Sequence, residues 1–147
     1  NMAIIVAIVC VYGAFIEARL PGGEPLVAQM RSELALWGIP LLAITMILPL
    51  VSGLATGLSI GFVGASFPIV MSLLGEDPSF GEIMSTTVLA YGFGYIGMLL
   101  SPVHVCLIVT SEHFETKVPP NIVGLLRPAA LVLAGAMALY MIYGRVF

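Results

Sequence analysis

Three polar or helix-breaking residues, Ser101, Pro102 and His104, lie within the short stretch "LLSPVHVC" at residues 99–106. The run around them, residues 83–111, contains no Asp, Glu, Lys or Arg, which is typical of a membrane helix. A hydroxyl oxygen offers lone pairs to a cation, and an imidazole can donate a hydrogen bond or carry a proton near neutral pH. Ionisable residues inside membrane segments are usually functional, so the stretch predicts a binding site.

The proline is expected to interrupt the helix that carries these residues. Because proline lacks an amide hydrogen and favours extended geometry in the residue before it, the sequence predicts helix 80–99, an unwound segment near 100–103 and helix 104–114. In transporters, such broken helices coordinate substrates and ions. Two roles stay open for His104: a group that couples protons or donates to a substrate, and a neutral ring that bonds a neighbouring helix.

A second cluster of small and polar residues interrupts the uncharged run 34–75. The stretch "LPLVSGLATGLSIGFVGAS", residues 48–66, is rich in glycine and serine. Two full membrane crossings would use nearly all of the run and leave almost nothing for a turn. We therefore predict two helical arms, about 38–51 and 58–74, that form a re-entrant hairpin. The tip of this hairpin would consist of Ser52, Gly53, Thr56 and Gly57.

Parts of this hairpin have alternative explanations. The run also fits two tight membrane spans that are joined by a short polar turn and packed through small residues. The hydroxyls of Ser52, Thr56 and Ser101 can ligate Na⁺ or substrate, but each can instead bond a carbonyl one helical turn earlier. Gly61 and Gly64 more often permit close helix packing than ligand contact.

Further helices flank the hairpin and the broken helix. Residues 1–18 form an apolar span. Residues 24–37 form an amphipathic arm helix whose Trp37 favours the membrane interface, with an ordinary surface helix as the alternative. The last span covers residues 122–146, with Pro128 in its first turn, where proline is tolerated.

Two motifs describe how the helix after the hairpin begins and packs. Ser79 followed by Glu82 fits a capping box, so these polar groups are expected to start a helix rather than bind a cation. Gly92, Gly94 and Gly97 follow, and the absence of side chains there allows another backbone to approach closely.

The composition indicates a membrane protein. The chain is 60% hydrophobic and 9% charged, with a mean hydropathy of +1.12, whereas soluble domains carry about 25% charged residues. We predict an all-α polytopic membrane protein in one domain, residues 1–147, with transmembrane helices, a re-entrant hairpin at 38–74 and a broken helix at 80–114. The few cations are scattered, which argues against nucleic acid as a partner. Cys10 and Cys106 lie in apolar runs and are expected to be buried.

The sequence does not favour an enzyme. Within the spans, no Glu and His residues have the spacing of a metal site, and Ser101 with His104 lacks an acid that would orient the ring. Glu112 and His113 are adjacent at a helix end, where we expect both to be solvated. We therefore predict no catalytic residues, no metal other than Na⁺ and no other cofactor.

The order of span, interfacial helix, hairpin, broken helix and span resembles the C-terminal repeat of the ion transporter superfamily. That group includes sodium/dicarboxylate symporters, gluconate and citrate permeases, and the large permeases of tripartite ATP-independent periplasmic transporters. The stretches "SPVHVCLIVTSEHF" and "VSGLATGLSIGFVGASFPIV" are similar to an uncharacterised branch related to these permeases. The resemblance covers nearly all of this chain, but only half of such a transporter.

The resemblance implies an elevator-type secondary transporter with inverted repeats, of which this chain would form the second. It would move a small organic anion coupled to Na⁺ or H⁺. The residues that match the family's hairpin tip and unwound segment are Ser52, Gly53, Thr56, Gly57, Ser101, Pro102 and His104, with Na⁺ at Ser52, Thr56 and Ser101. The tip reads Ser-Gly-Leu-Ala-Thr where dicarboxylate symporters carry Ser-Asn-Thr, which argues against a dicarboxylate substrate.

The resemblance also implies the surroundings of the protein. Its partners would be the lipid bilayer, the missing N-terminal half in the same or a separate chain, and a second copy in a homodimer. It would be a multi-pass protein of a prokaryotic cytoplasmic (inner) membrane. Because the first apolar span is short, we expect the chain to be a piece of a longer protein or one half of a split one. The alternative function is a non-transporting scaffold or assembly subunit of a larger complex.

Overall fold

The computed structural model describes residues 40–75 and 77–146, together with the isolated positions 7, 11, 33, 34 and 36–38. Its regular elements there are five α-helices: α1 (Leu41–Thr56), α2 (Ser59–Ser72), α3 (Phe80–Leu99), α4 (Val105–His113) and α5 (Val118–Val146). The prediction of an all-α fold is confirmed for this part of the chain. The predicted span 1–18 and arm helix 24–37 lie almost wholly outside the described residues.

Helices α1 and α2 fold back on each other through a two-residue connection. Gly57 ends α1 with φ 62°, and its amide donates to the Gly53 carbonyl at 2.9 Å. Leu58 is extended and leads directly into α2. The first arm is longer than the predicted 38–51, because α1 continues until Gly57, which adopts the left-handed conformation at low cost.

Helices α3 and α4 follow one another with a break between them. The amide of Leu100 donates to the Ile96 carbonyl at 3.0 Å and closes α3. Pro102 lies in the turn that follows, and His104, in extended geometry, precedes the first residue of α4. The chain therefore leaves helical geometry within the segment 100–103 that the sequence predicts to be unwound, and α4 begins one residue later than predicted.

Helix α3 begins with a complete capping box. The Glu82 amide donates to the Ser79 hydroxyl oxygen at 3.2 Å, and the Ser79 amide donates to the Glu82 carboxylate at 2.8 Å. The predicted capping role of these two residues is confirmed. Glu82 closes the acidic loop ahead of the uncharged run, so its carboxylate marks the solvated end of α3.

The capping box predicts a pH dependence of stability. Hydrogen bonds from the Ser79 amide and hydroxyl lower the pKa of Glu82 below its ordinary value. A lowered pKa in the folded state gives stability that is present above the unfolded pKa and is lost as pH falls through the folded pKa. We expect the native protein to melt higher than Glu82→Gln at neutral pH, and this difference to vanish in acid. A difference that stays constant across the acid range would contradict this linkage.

Helix α3 is the centre of the fold and packs against α1, α2 and α5. The largest side chains that are fully buried in the described residues include Phe62, Leu73, Leu89 and Ile96. The predicted close approach of another backbone is confirmed at Gly97, where a Cβ would overlap the Leu50 carbonyl, and at Gly94, whose carbonyl a Cβ on Gly53 would overlap. At Gly92 a Cβ would meet the side chain of Ala136 and no backbone atom of another helix.

Helix α5 begins at Val118, earlier than the predicted start at 122, so Pro128 lies inside the helix rather than in its first turn. Pro119 and Pro120 are tolerated at the new start, because the first amides of a helix have no partner in the helix. Of the described residues, the segment Val118–Gly144 alone is long and apolar enough to cross a membrane, and it is mostly exposed. This helix indicates membrane association by its length and composition.

A polar cluster joins α4 to α5. The Asn121 side-chain amide donates to the Ser111 hydroxyl at 2.8 Å and to the Thr116 hydroxyl at 2.9 Å. The Thr116 amide also donates to the Ser111 carbonyl at 2.8 Å. Ser111 is almost fully buried, so these bonds satisfy polar atoms and fix the direction in which α5 leaves the turn.

Candidate functional site

The hairpin turn and the helix break meet at one place, which we call the junction (residues 54–58 and 100–105). Two hydrogen bonds cross it. The Ser101 hydroxyl donates to the Leu54 carbonyl at 2.7 Å, and Nδ1 of His104 lies 2.9 Å from the Gly57 carbonyl. The junction therefore joins the two irregular segments that the sequence singles out.

Ser101 caps the C-terminal end of α1, a helix to which it does not belong. The Leu54 carbonyl lies in the last turn of α1, where no following helical turn supplies it with an amide. The Ser101 hydroxyl supplies that partner and also accepts from the Val103 amide at 3.3 Å. Ser101 is fully buried, and its bond reaches another helix rather than a carbonyl one turn earlier.

Replacing Ser101 with alanine is expected to lower the free energy of unfolding by about 1–3 kcal/mol, because the Leu54 carbonyl then loses its partner inside the protein. Ser59→Ala is the matched control, since Ser59 is exposed in the first turn of α2. Chemical unfolding in detergent measures both variants. Equal stabilities of the two variants would show that the bond to Leu54 contributes nothing.

His104 uses one ring nitrogen, Nδ1, to bond the hairpin turn at Gly57. A backbone carbonyl can only accept, so Nδ1 carries the hydrogen in the bond to Gly57. In the neutral ring, Nε2 then has a lone pair that can accept a hydrogen from a ligand or take up a proton. The ring is partly buried at the start of α4. His104 thus performs the structural role that the sequence leaves open, and Nε2 has no hydrogen-bond partner among residues 40–75 and 77–146.

Gly57 permits the close contact between the two segments. Its φ of 62° lies in the left-handed region, where a Cβ is disfavoured. A Cβ there would also lie 2.9 Å from the Val103 carbonyl carbon and 3.0 Å from the His104 nitrogen. Both features require glycine at this position.

The other predicted tip residues lie within α1. Gly53 is buried against the backbone of α3, and the exposed Thr56 donates to the Ser52 carbonyl at 2.8 Å. The Ser52 hydroxyl is partly buried and has no hydrogen-bond partner in the described part of the chain. Pro102 is exposed at the break. Of the seven predicted site residues, the junction brings together Gly57, Ser101 and His104 most closely.

Four helix ends converge at the junction. Helices α2 and α4 begin there, and their first amides have no partner within the helix, which gives both starts a partial positive charge. Helices α1 and α3 end there and contribute carbonyl groups with partial negative charge. The junction thus offers donors to an anion and acceptors to a cation without any charged side chain among residues 40–75 and 83–111.

The sequence of the chain also matches a protein family, described as "Protein of unknown function (DUF401)", over residues 1–143. The chain belongs to this family. No curated protein and no solved structure matches it.

Two features of this DUF401 chain could not be read from residue types. The acceptors at the junction are backbone carbonyls, of Leu54 and Gly57, and no residue type marks a carbonyl that takes a distant partner. The prediction that Cys106 is buried is wrong, because this thiol is exposed in the first turn of α4. Its neighbours Val105 and Val109 are exposed as well, and Cys10 lies outside the described residues.

Proposed function

We propose that this DUF401 chain is the second repeat of an elevator-type secondary transporter of the ion transporter superfamily. It moves a small organic anion coupled to Na⁺ or H⁺, and the junction forms half of the substrate and ion site. The observation that carries this proposal is that α2 and α4 both begin at the contact between Gly57 and His104. Paired helix N-termini attract anions in a medium of low dielectric constant.

Helix lengths support a junction inside the membrane. At about 1.5 Å per residue, the 9-residue α4 separates the break from the polar turn after His113 by ~14 Å. The 27 residues of Val118–Gly144 extend over ~40 Å, close to the full thickness of a bilayer with its headgroups. The hairpin turn that contacts the break then lies well below the surface, which favours a re-entrant hairpin over two full spans.

The hydroxyl groups near the junction support coupling to a cation. Ser101 and Thr56 already donate their hydrogens to backbone carbonyls, so only oxygen lone pairs remain for another partner. Oxygen lone pairs and helix-end carbonyls are the ligands that Na⁺ requires. Ser52 adds a third hydroxyl one turn from Thr56. Proton coupling would instead use Nε2 of His104.

The proposal includes the parts of the transporter outside this chain. A matching repeat, in the same or a separate chain, supplies the other hairpin and broken helix. Two copies of the complete protein form a homodimer in the cytoplasmic membrane of a prokaryote. Residues 24–37, which the sequence predicts to form an arm helix, link the scaffold to the moving domain in this proposal.

Thermal unfolding of the complete purified protein tests this function. We expect a panel of small organic anions to include one that raises the melting temperature. If Na⁺ is the coupling ion, the increase should occur in Na⁺ but not in choline. If H⁺ is the coupling ion, the increase should occur at only one of two pH values. A ligand that binds the folded form alone stabilises it by about 2.7 kcal/mol at 100 times its Kd. His104→Asn keeps a side-chain NH group in reach of Gly57 but removes Nε2, so it should lose the shift. His113→Asn, at the other end of α4, should keep it.

A scaffold subunit is the second candidate. It is favoured by the bonds of Ser101, Thr56 and His104 to backbone carbonyls, which a junction built only for packing also needs. If the complete, folded protein shows no shift with any anion and ion, the transporter proposal fails and the scaffold role gains weight.

A further inference from the structure

We propose that a stripe of hydroxyl groups on α3, formed by Thr87, Tyr91 and Tyr95, lines a water-filled passage to the junction. The passage opens near the capped end of α3, on the side of the membrane where loop 77–79 lies. Its use as a substrate route rests on the proposed transport function, whereas its water content does not.

The three residues share one side of α3 and one chemical feature. Their spacing of four residues places them along one face of the helix. The side chains of Tyr91 and Tyr95 are 47% and 37% exposed, and Thr87 is partly buried. None of the three hydroxyls has a hydrogen-bond partner in the part of the chain that the structure describes.

Ring contacts place the stripe beside α2. Tyr91 meets Phe62 of α2 edge to face, with ring centroids 5.7 Å apart, and stacks on Tyr95 at 6.2 Å. Other sides of α3 are covered: Gly97 lies against α1, and Gly92 faces Ala136 of α5. The stripe is thus an open strip on an otherwise packed central helix, with its rings held in place.

The depth of the stripe argues against lipid as its neighbour. Tyr91 follows the solvated Ser79 cap by ~18 Å at about 1.5 Å per residue, which is deep enough to lie below the headgroups and inside the hydrocarbon core. A hydroxyl that loses water without gaining a hydrogen bond costs about 4–8 kcal/mol in a medium like cyclohexane. The exposed face of α5 carries residues such as Leu131 and Ile142 instead, as a lipid-facing surface should.

The direction of the stripe connects it to the junction. Tyr95 precedes the end of α3 by one helical turn, and Phe62, which contacts Tyr91, belongs to the first turns of α2. Water at the stripe therefore reaches the starts of α2 and α4, where the unpaired amides lie. The hydroxyls are neutral donors along this route, which suits an anion that carries carboxylate or hydroxyl oxygens.

Thiol labelling of the complete protein in native membranes tests the passage. In a background in which every cysteine is replaced by serine or alanine, Thr87→Cys, Tyr91→Cys and Tyr95→Cys are treated with a membrane-impermeant methanethiosulfonate. Asp77→Cys in the loop is the control for full access, and Leu131→Cys on α5 is the lipid-facing control. The near-isosteric Thr87→Cys keeps the test valid if a tyrosine variant fails to fold.

We expect Thr87→Cys to react at least ~10-fold faster than Leu131→Cys, because hydrocarbon suppresses ionisation of a thiol and only the thiolate reacts. Labelling of Thr87→Cys as slow as that of Leu131→Cys, with Asp77→Cys fast, would overturn the passage. That result leaves an anion-dependent melting shift unaffected. Fast labelling without any such shift would retain the passage and reject the transport function.

Discussion

Replacing Gly97 with alanine is expected to lower the free energy of unfolding by about 3 kcal/mol, the upper end of the usual cost of overpacking. A Cβ on Gly97 would overlap the Leu50 carbonyl oxygen and lie 2.9 Å from its carbon. Both atoms belong to the backbone of α1, so no side-chain rotation relieves the overlap. The helices must separate, and every contact between α1 and α3 weakens.

Gly135→Ala is the matched control, because Gly135 lies inside α5 and nothing stands within 4 Å of a Cβ there. Alanine in a helix interior is more stable than glycine by about 0.5–1 kcal/mol, so this variant should gain stability. The two variants are compared by chemical unfolding in the same detergent. If Gly97→Ala unfolded like Gly135→Ala, the close approach of α1 and α3 would not contribute to stability.

The separation of α1 and α3 also has a functional consequence. Ser101, just beyond α3, donates to the Leu54 carbonyl in α1, so the junction depends on the distance that Gly97 and Gly53 set between these helices. A larger side chain at Gly97, about one helical turn before Ser101, therefore acts on the site through the packing. We expect Gly97→Ala to weaken any anion-dependent stabilisation even though Gly97 itself contacts no ligand.

Local chemistry in the sequence was enough to locate the break and the start of α3. Pro102 lacks an amide hydrogen and disfavours helical geometry in Ser101, and the Ser79–Glu82 pair satisfies the first amides of α3, so both boundaries agree with the chemistry of neighbouring residues. The glycines of α3 were also informative, because a run such as Gly92, Gly94 and Gly97 is unfavourable in a helix unless another backbone packs there.

Boundaries that depend on tertiary contacts were not visible in the sequence. Ser52 and Gly53 have the composition of a turn, but Gly53 stays helical because its missing side chain lets α3 approach, and the Thr56 hydroxyl bonds back into the helix. Helix α5 begins at Val118 because Asn121 ties the preceding turn to Ser111, ten residues away. Neither effect can be read from the spacing of apolar residues.

Replacing Gly57 with alanine should lower the free energy of unfolding by about 2–5 kcal/mol, from two costs that add. The left-handed φ of 62° costs a residue with a Cβ about 1–2 kcal/mol. The Cβ would also press on the backbone of Val103 and His104 at 2.9–3.0 Å, and overpacking costs about 1–3 kcal/mol. The second cost arises only where the hairpin turn meets the helix break.

Gly38→Ala separates these costs. Gly38 has a similar φ of 67°, but nothing lies within 4 Å of a Cβ there, so this variant should lose only the backbone part. Chemical unfolding in detergent gives both values, and the excess loss in Gly57→Ala measures the contact with the break. Because the Gly57 carbonyl accepts from His104, displacement of the turn should also remove the anion-dependent melting shift in Gly57→Ala and leave it intact in Gly38→Ala. Equal losses in the two variants would mean that the turn and the break are not pressed together, and the junction would then lose its role as a single site.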